Sequence, residues 1–232
     1  PMKRIGAITI GQSPRVDVVP EMQQILGPDV EIVQAGVLDG LSPEEIAALA
    51  PAGNGDSEIR RLRGSPVLVS RLRDGSWVSM EEEKILPLVQ KKIEQLENAD
   101  VRFILMLCTG KFPENFVCRV PLIFPQKLLY SLVPQLAGRI GILTPEASQL
   151  ADSRRQWGAV ARQVTVCCAN PYAGAAGLAA AAEQFVKDGA EICVLDCFGY
   201  TAQMKTRLEE LTGLPAILPR TLAARIAGEL LA

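Results

Sequence analysis

No histidine occurs anywhere in the 232 residues. Its absence excludes Ser-His-Asp and Cys-His nucleophilic catalysis and the common histidine-rich zinc sites. The six cysteines contain no C-x-x-C pair, which argues against a zinc knuckle and a disulfide framework and predicts reduced thiols in a cytoplasmic protein. Long apolar runs are missing too. Nothing approaches the roughly 18–20 residues needed to cross a bilayer, and the run at 5–10 is too short for a signal h-region. The reading is a cytoplasmic protein without a membrane partner. Neither sign of charge dominates: 24 Lys and Arg face 26 Asp and Glu, a net of −2. The electrostatic footprint of a nucleic-acid binder is therefore absent.

What is present is an ordinary globular balance, 48% hydrophobic and 22% charged. A chain of this length can bury roughly 70–75% of its unfolded surface, enough for one large domain or two small lobes. Residues 5–10 read as a buried strand ending in Gly11-Gln12-Ser13-Pro14-Arg15, after which a helix is expected to run to about Leu26 before Gly27-Pro28 stops it. A strand near 30–34, a short helix after Ser42-Pro43-Glu44-Glu45 and a Gly- and Ala-rich break at 51–56 follow. Asp74-Gly75 between β-forming arms predicts a hairpin over 66–79, open to three roles: a lid, a dimer contact or a decorated edge. Beyond it, a helix at 81–97 feeds a strand at 101–107, and strands near 121–124, 139–143, 164–168, 191–195 and 215–218 alternate with helices. The pattern predicts an α/β fold with mainly parallel sheets flanked by helices.

Two internal rhymes stand out. The text at 100–110 and that at 190–199 both read apolar strand, Cys, x, Gly, and Ile5-Gly6-Ala7-Ile8-Thr9 rhymes with Ile140-Gly141-Ile142-Leu143-Thr144. The chain reads as a duplicated α/β half. In open parallel sheets ligands bind at the carboxyl ends of strands, where Cys108 and Cys197 both fall. Two thiols on opposite faces of a carbon acid can invert it unaided, one as thiolate removing a proton and the other returning one. No cofactor and no metal is required. Cys167, Cys168 and Cys193 read instead as small core hydrophobes.

A carboxylate substrate needs donors, and Ser13, Thr109, Gly110 and Thr144 stand at strand-end turns; Ser13 and Thr144 read equally well as simple helix caps. Arg15 either pairs the same carboxylate or faces solvent, and Lys111 either favours the Cys108 thiolate or is an ordinary surface lysine. Asp196, beside Cys197, either orders the site or forms a salt bridge. The run at 173–177 matches neither phosphate-loop pattern and reads as a close-packed helix start.

Residues 8–15 (Ile-Thr-Ile-Gly-Gln-Ser-Pro-Arg), the Ser70-Arg71-Leu72-Arg73-Asp74-Gly75 hairpin, Leu107-Cys108-Thr109-Gly110 and Leu195-Asp196-Cys197-Phe198-Gly199-Tyr200 together resemble the AroM family. That family is similar to the aspartate/glutamate racemase superfamily. The resemblance implies two pseudo-symmetric lobes, with one catalytic cysteine from each at a cleft. By it, Cys108 and Cys197 take the catalytic positions, Thr109 and Thr144 the carboxylate-binding ones, and Ser13, Arg15, Gly110, Phe198 and Gly199 join them as candidate substrate contacts. The expected lobes are 1–122 with 215–232, carrying the hairpin, and 123–214. Amino-acid racemases usually follow the first cysteine with Asn-Thr and often place an acidic residue or a histidine near the second; here Cys-Thr-Gly and Cys-Phe-Gly put aspartate or glutamate as the substrate in question. The expected activity is cofactor-independent racemisation, epimerisation or isomerisation of a small carboxylate. The alternatives are a single-cysteine decarboxylase or cis-trans isomerase, and a non-catalytic protein that binds shikimate-type carboxylates. A homodimer is the expected assembly.

Overall fold

A computed structural model describes residues 2–51, 66–174 and 176–232, so most of the break expected at 51–56 and Ala175 of the 173–177 run lie outside the described residues. The chain separates into two compact units, Pro1–Arg15 with Val30–Ile123, and Val16–Asp29 with Phe124–Ala232. Among the described residues no helix is long and apolar enough to cross a membrane.

In the first unit, β1 (Lys3–Thr9) is buried from Ile5 onward, as expected of a strand covered on both faces. The chain then leaves for α1 (Val19–Leu26), which belongs to the second unit, and returns as β2 (Val30–Gly36). The helix expected directly after Arg15 begins only at Val19. The reason is competition for backbone groups. Gln12 N–H goes to Arg71 O (3.2 Å), Ser13 N–H to Asp39 Oδ1 (2.9 Å) and Arg15 N–H to Gln34 Oε1 (2.8 Å), which holds the segment in a turn. Next come α2 (Pro43–Ala48), with a Ser42/Glu45 capping box, and the hairpin of β3 (Val67–Arg71) and β4 (Trp77–Glu81). Gly75 turns the hairpin at φ 89°, and its second arm runs two residues past the expected end. The helix α3 (Glu82–Glu97) buries Ile85, Val89, Ile93 and Leu96, whose three- and four-residue spacings put them on one face, and packs on β1 and β2. With β5 (Ile104–Met106) and β6 (Leu122–Ile123) the parallel sheet has the order β2-β1-β5-β6.

The second unit opens with α4 (Pro125–Leu136), β7 (Arg139–Thr144), α5 (Leu150–Gly158), β8 (Gln163–Cys168) and α6 (Leu178–Lys187). It closes with β9 (Ile192–Leu195), α7 (Ala202–Thr212), β10 (Ala216–Ile217) and α8 (Pro219–Leu231). Its parallel sheet has the order β10-β9-β7-β8. Alternate residues of its strands feed two cores. Ile140, Ile142, Ile192 and Val194 pack with Leu129, Val133 and Trp157; Leu143, Cys193 and Leu195 pack with Leu178, Phe185 and Leu208. Residues 215–232, expected with the first lobe, lie in this unit: β10 pairs with β9, and α8 packs on α1 and α4.

Matching β1 to β7, β2 to β8, β5 to β9 and β6 to β10 superimposes the two strand orders. The duplication reaches individual bonds. Leu107 N–H donates to Ile8 O, and Asp196 N–H to Leu143 O, both at 2.8 Å; Val37 N–H donates to Thr9 O at 2.9 Å, and Ala169 N–H to Thr144 O at 3.0 Å. Thr9 and Thr144 are thus equivalent, as are Cys108 and Cys197.

One buried acid opposes the fold near neutral pH. Glu82, in the first turn of α3, is 7% exposed, and its Oε2 has no hydrogen-bond partner. Burial first, and the neighbouring Glu83 charge second, raise its pKa to about 7. The folded chain therefore keeps a proton that the unfolded chain has already released, so stability falls as pH rises from about 4.5 to 7. Glu82→Gln is expected to match the parent in urea unfolding at pH 4.5 and to exceed it by about 2 kcal/mol at pH 8.

Candidate active site

Cys108 and Cys197 each stand two residues beyond the central strand's neighbour, at the carboxyl ends of β5 and β9. Neither is in a disulfide, and both are half-buried. Each accepts a bond from the N–H of the glycine two residues on: Gly110 N–H to Cys108 Sγ at 3.3 Å, Gly199 N–H to Cys197 Sγ at 3.4 Å. A donor aimed at sulfur favours the thiolate over the thiol. Neither glycine has room for a side chain. A Cβ on Gly110 would meet Leu68 at 2.6 Å, and one on Gly199 would meet Tyr172 at 2.6 Å and Pro171 at 2.9 Å. The Cys-x-Gly text is thus a compact turn that presents sulfur to a backbone N–H, once per unit.

In the first unit the turn after β1 is fastened by a network invisible to local sequence reading. Asp39 Oδ2 accepts from Ser13 Oγ (2.5 Å) and Gly36 N–H (2.8 Å), and its Oδ1 from Ser13 N–H and Arg73 Nη2 (both 2.9 Å). Arg73 Nε also donates to Ser13 O at 2.5 Å, so the hairpin is tied down at its tip. Ser13 has therefore given both its donors to Asp39 and caps no helix. Arg15 does not face solvent: it is 3% exposed and reaches Thr9 Oγ1 at 3.0 Å and Ser70 Oγ at 3.4 Å. On β3, Leu68 and Ser70 share one face, with Leu68 against the Cys108 turn and Ser70 against Gly11. Phe112 also lies within 3.5 Å of the Gly110 Cβ position. Lys111 is exposed.

Asp39→Ala removes an acceptor from four donors, whereas Arg73→Ala removes a half-exposed ion pair. The first is expected to lower unfolding free energy by about 2 kcal/mol and the second by under about 1 kcal/mol. Limited proteolysis should cut the hairpin faster in both.

In the second unit Thr144 ends β7, is buried, and donates to Gln149 Oε1 at 3.0 Å rather than capping the helix that follows. Phe198 and Gly199 are buried. Asp196 accepts from Trp157 Nε1 at 2.8 Å, so it orders the strand end that carries Cys197. Tyr200 donates to Ala169 O at 2.7 Å, and burial pushes its hydroxyl well above the usual range. Arg220, fully buried, donates to Phe198 O through Nε (3.1 Å) and Nη2, and to Asp17 O through Nη1 (2.7 Å).

Thr9, Asp39, Trp157 and Arg220 escaped the sequence reading. Thr9 alone had a signal, because the β1/β7 rhyme carries Thr144 back onto it. Of the core-like cysteines, Cys193 is buried and raised by desolvation to about 11. Cys167 and Cys168 are only half-buried, although desolvation also raises both.

The family model described as AroM protein matches residues 5–231. The chain belongs to the AroM family. No curated protein sequence matches it. Among solved structures this AroM chain is similar to allantoin racemase from Pseudomonas fluorescens, with a TM-score of 0.63 and 16% identity over 98% of this chain and 90% of that one. It is also similar to glutamate racemase from Francisella tularensis in complex with D-glutamate, with a TM-score of 0.59 and 14% identity over 99% and 81%. Arylmalonate decarboxylase aligns with a TM-score of 0.59 and 12% identity over 98% and 91%. The AroM chain thus has the racemase superfamily fold, α/β with two lobes of parallel sheet flanked by helices.

Proposed function

We propose that this AroM protein is a cofactor-independent racemase, epimerase or isomerase of a small carboxylate, with Cys108 and Cys197 as its acid and base. The observation that carries the reading is the repeated turn: at equivalent strand ends each sulfur accepts a glycine N–H, and the strand paired alongside ends in a buried threonine. One cysteine, as thiolate, takes the proton from the carbon next to the carboxylate, leaving an enolate-like carbanion. The other, as thiol, gives its proton to the opposite face. The two sulfurs exchange protonation states, and the reverse reaction resets them. Thr109 and Thr144 bind the carboxylate, helped by Thr9, its equivalent in the first unit. Ser13 and Arg15 act by holding the turn and Thr9 in place, and Phe198, buried next to Cys197 in the chain, by the backbone oxygen that Arg220 binds. The similarity to a racemase in complex with D-glutamate supports a small carboxylate as the ligand class.

The similarity to arylmalonate decarboxylase favours a second reading, in which a single thiol protonates a carbanion left by loss of carbon dioxide. The two readings part on Cys108→Ser and Cys197→Ser, assayed for inversion and solvent-deuterium uptake on carboxylates chosen by thermal shift. Two-thiol chemistry expects both variants to lose inversion; one-thiol chemistry expects one to be indifferent. A ligand that stabilises the protein without turnover in the parent would turn the reading to a binding protein.

A further inference from the structure

Arg220 occupies a place where a cation is doubly disfavoured. It is 0% exposed, and it lies in the first turn of α8, at the positive end of the helix dipole. A buried guanidinium persists only when its donors are satisfied. Here they go to Phe198 O and Asp17 O, and the Glu21 carboxylate adds an ion pair, with its Oε2 3.3 Å from Nη1. Phe198 O belongs to the same peptide group as Gly199 N–H, and in a planar trans peptide the two point in opposite directions. That N–H is the one on Cys197 Sγ. Two guanidinium bonds on the oxygen fix the plane and polarise it, which strengthens the bond from its nitrogen.

We infer that Arg220 is the positioning residue of Cys197: through the Phe198–Gly199 peptide it aims and polarises the N–H that stabilises the Cys197 thiolate, and Glu21 tempers its charge. The inference deepens the proposed acid–base role of Cys197 and rests on it, but it is tested without any substrate. Other titratable groups lie around this turn. Asp196 is held by Trp157, Tyr200 is kept protonated by burial, and Tyr172 packs on Gly199. Cys168, raised by desolvation and by Glu146, acts on Tyr200 as Cys197 does. None of these is changed by the substitutions below.

The experiment is the pH dependence of iodoacetamide alkylation, read at Cys197 by peptide mass spectrometry with Cys108 as internal reference, in the parent, Arg220→Lys and Glu21→Gln. Lysine keeps a charge but not the fork. The Cys197 profile should move to higher pH in Arg220→Lys, with the rate at pH 7 falling by about threefold to tenfold relative to Cys108. Glu21→Gln removes the tempering charge and should move the profile the opposite way. A loosened fold would shift both variants alike, so opposite shifts are the signature. Any other pattern overturns the inference. If Arg220→Lys does not fold, the downward shift in Glu21→Gln alone supports it, and no shift or an upward one overturns it. If the shifts appear but Cys197→Ser leaves turnover intact, the inference stands and the two-thiol reaction fails.

Discussion

Serine in place of Cys108 or of Cys197 is expected to lower inversion of the substrate by about 10²- to 10⁴-fold, the usual weight of a positioned acid or base. Serine keeps the size and the N–H contact of the turn, but its hydroxyl has no accessible anion near neutral pH. The effect should fall on the rate of inversion with little change in binding, because the carboxylate donors are untouched. Each reaction direction uses one thiol as base and the other as acid, so neither variant can be spared in either direction. The double variant should be little worse than either single one, since residues that act as a unit are not additive. Chiral chromatography of the product at fixed times measures the effect.

The second large effect is on the fold. Gly141 sits in β7 over the ring of Phe185, and a Cβ there would lie 2.7 Å, 2.9 Å and 3.0 Å from three ring atoms. Phe185 is fully buried between α6 and the sheet, so the ring has no space to retreat. Gly141→Val is expected to destabilise the chain by about 3 kcal/mol or more, the upper range for overpacking, and to lower Tm by roughly 6–12 °C. Gly6 holds the equivalent place in β1, but its Cβ would meet Ile104 Cγ1 and Leu96 Cδ1 at 3.0 Å and 3.1 Å. Those atoms need give only a few tenths of an ångström, less than the Phe185 ring must. Gly6→Ala should therefore cost under about 1 kcal/mol, and the contrast between the two glycines in thermal unfolding is the sharper prediction.

The same pair of glycines shows what was legible beforehand. The Ile-Gly-x-x-Thr rhyme between 5–9 and 140–144 is a record of two strands in one topological place, and apolar runs between helix stripes are strong local signals. The hairpin was equally open to reading, because Asp74-Gly75 demands its turn and the arms alternate around it. Strand-end cysteines followed from those strands. What stayed hidden depends on distant partners. Nothing near Ser13 shows that Asp39 will take its hydroxyl, so a helix cap was as good a reading. Nothing near Arg220 shows that its guanidinium will reach Phe198 O, 22 residues back in the chain. The assignment of 215–232 failed to register for the same reason: β10 is two residues long, and only its pairing with β9 says which sheet it joins.

The most direct test of the two-thiol account is isotope placement at low conversion in D2O, starting from either enantiomer of a substrate. A thiol on the far face delivers a deuteron from solvent, while the proton removed stays with the other sulfur and can return only to the face it left. The account predicts one deuterium at the inverted carbon of the product and none in recovered substrate, from both directions. Deuterium entering recovered substrate as fast as product, or inversion without any deuterium in the product, would contradict it.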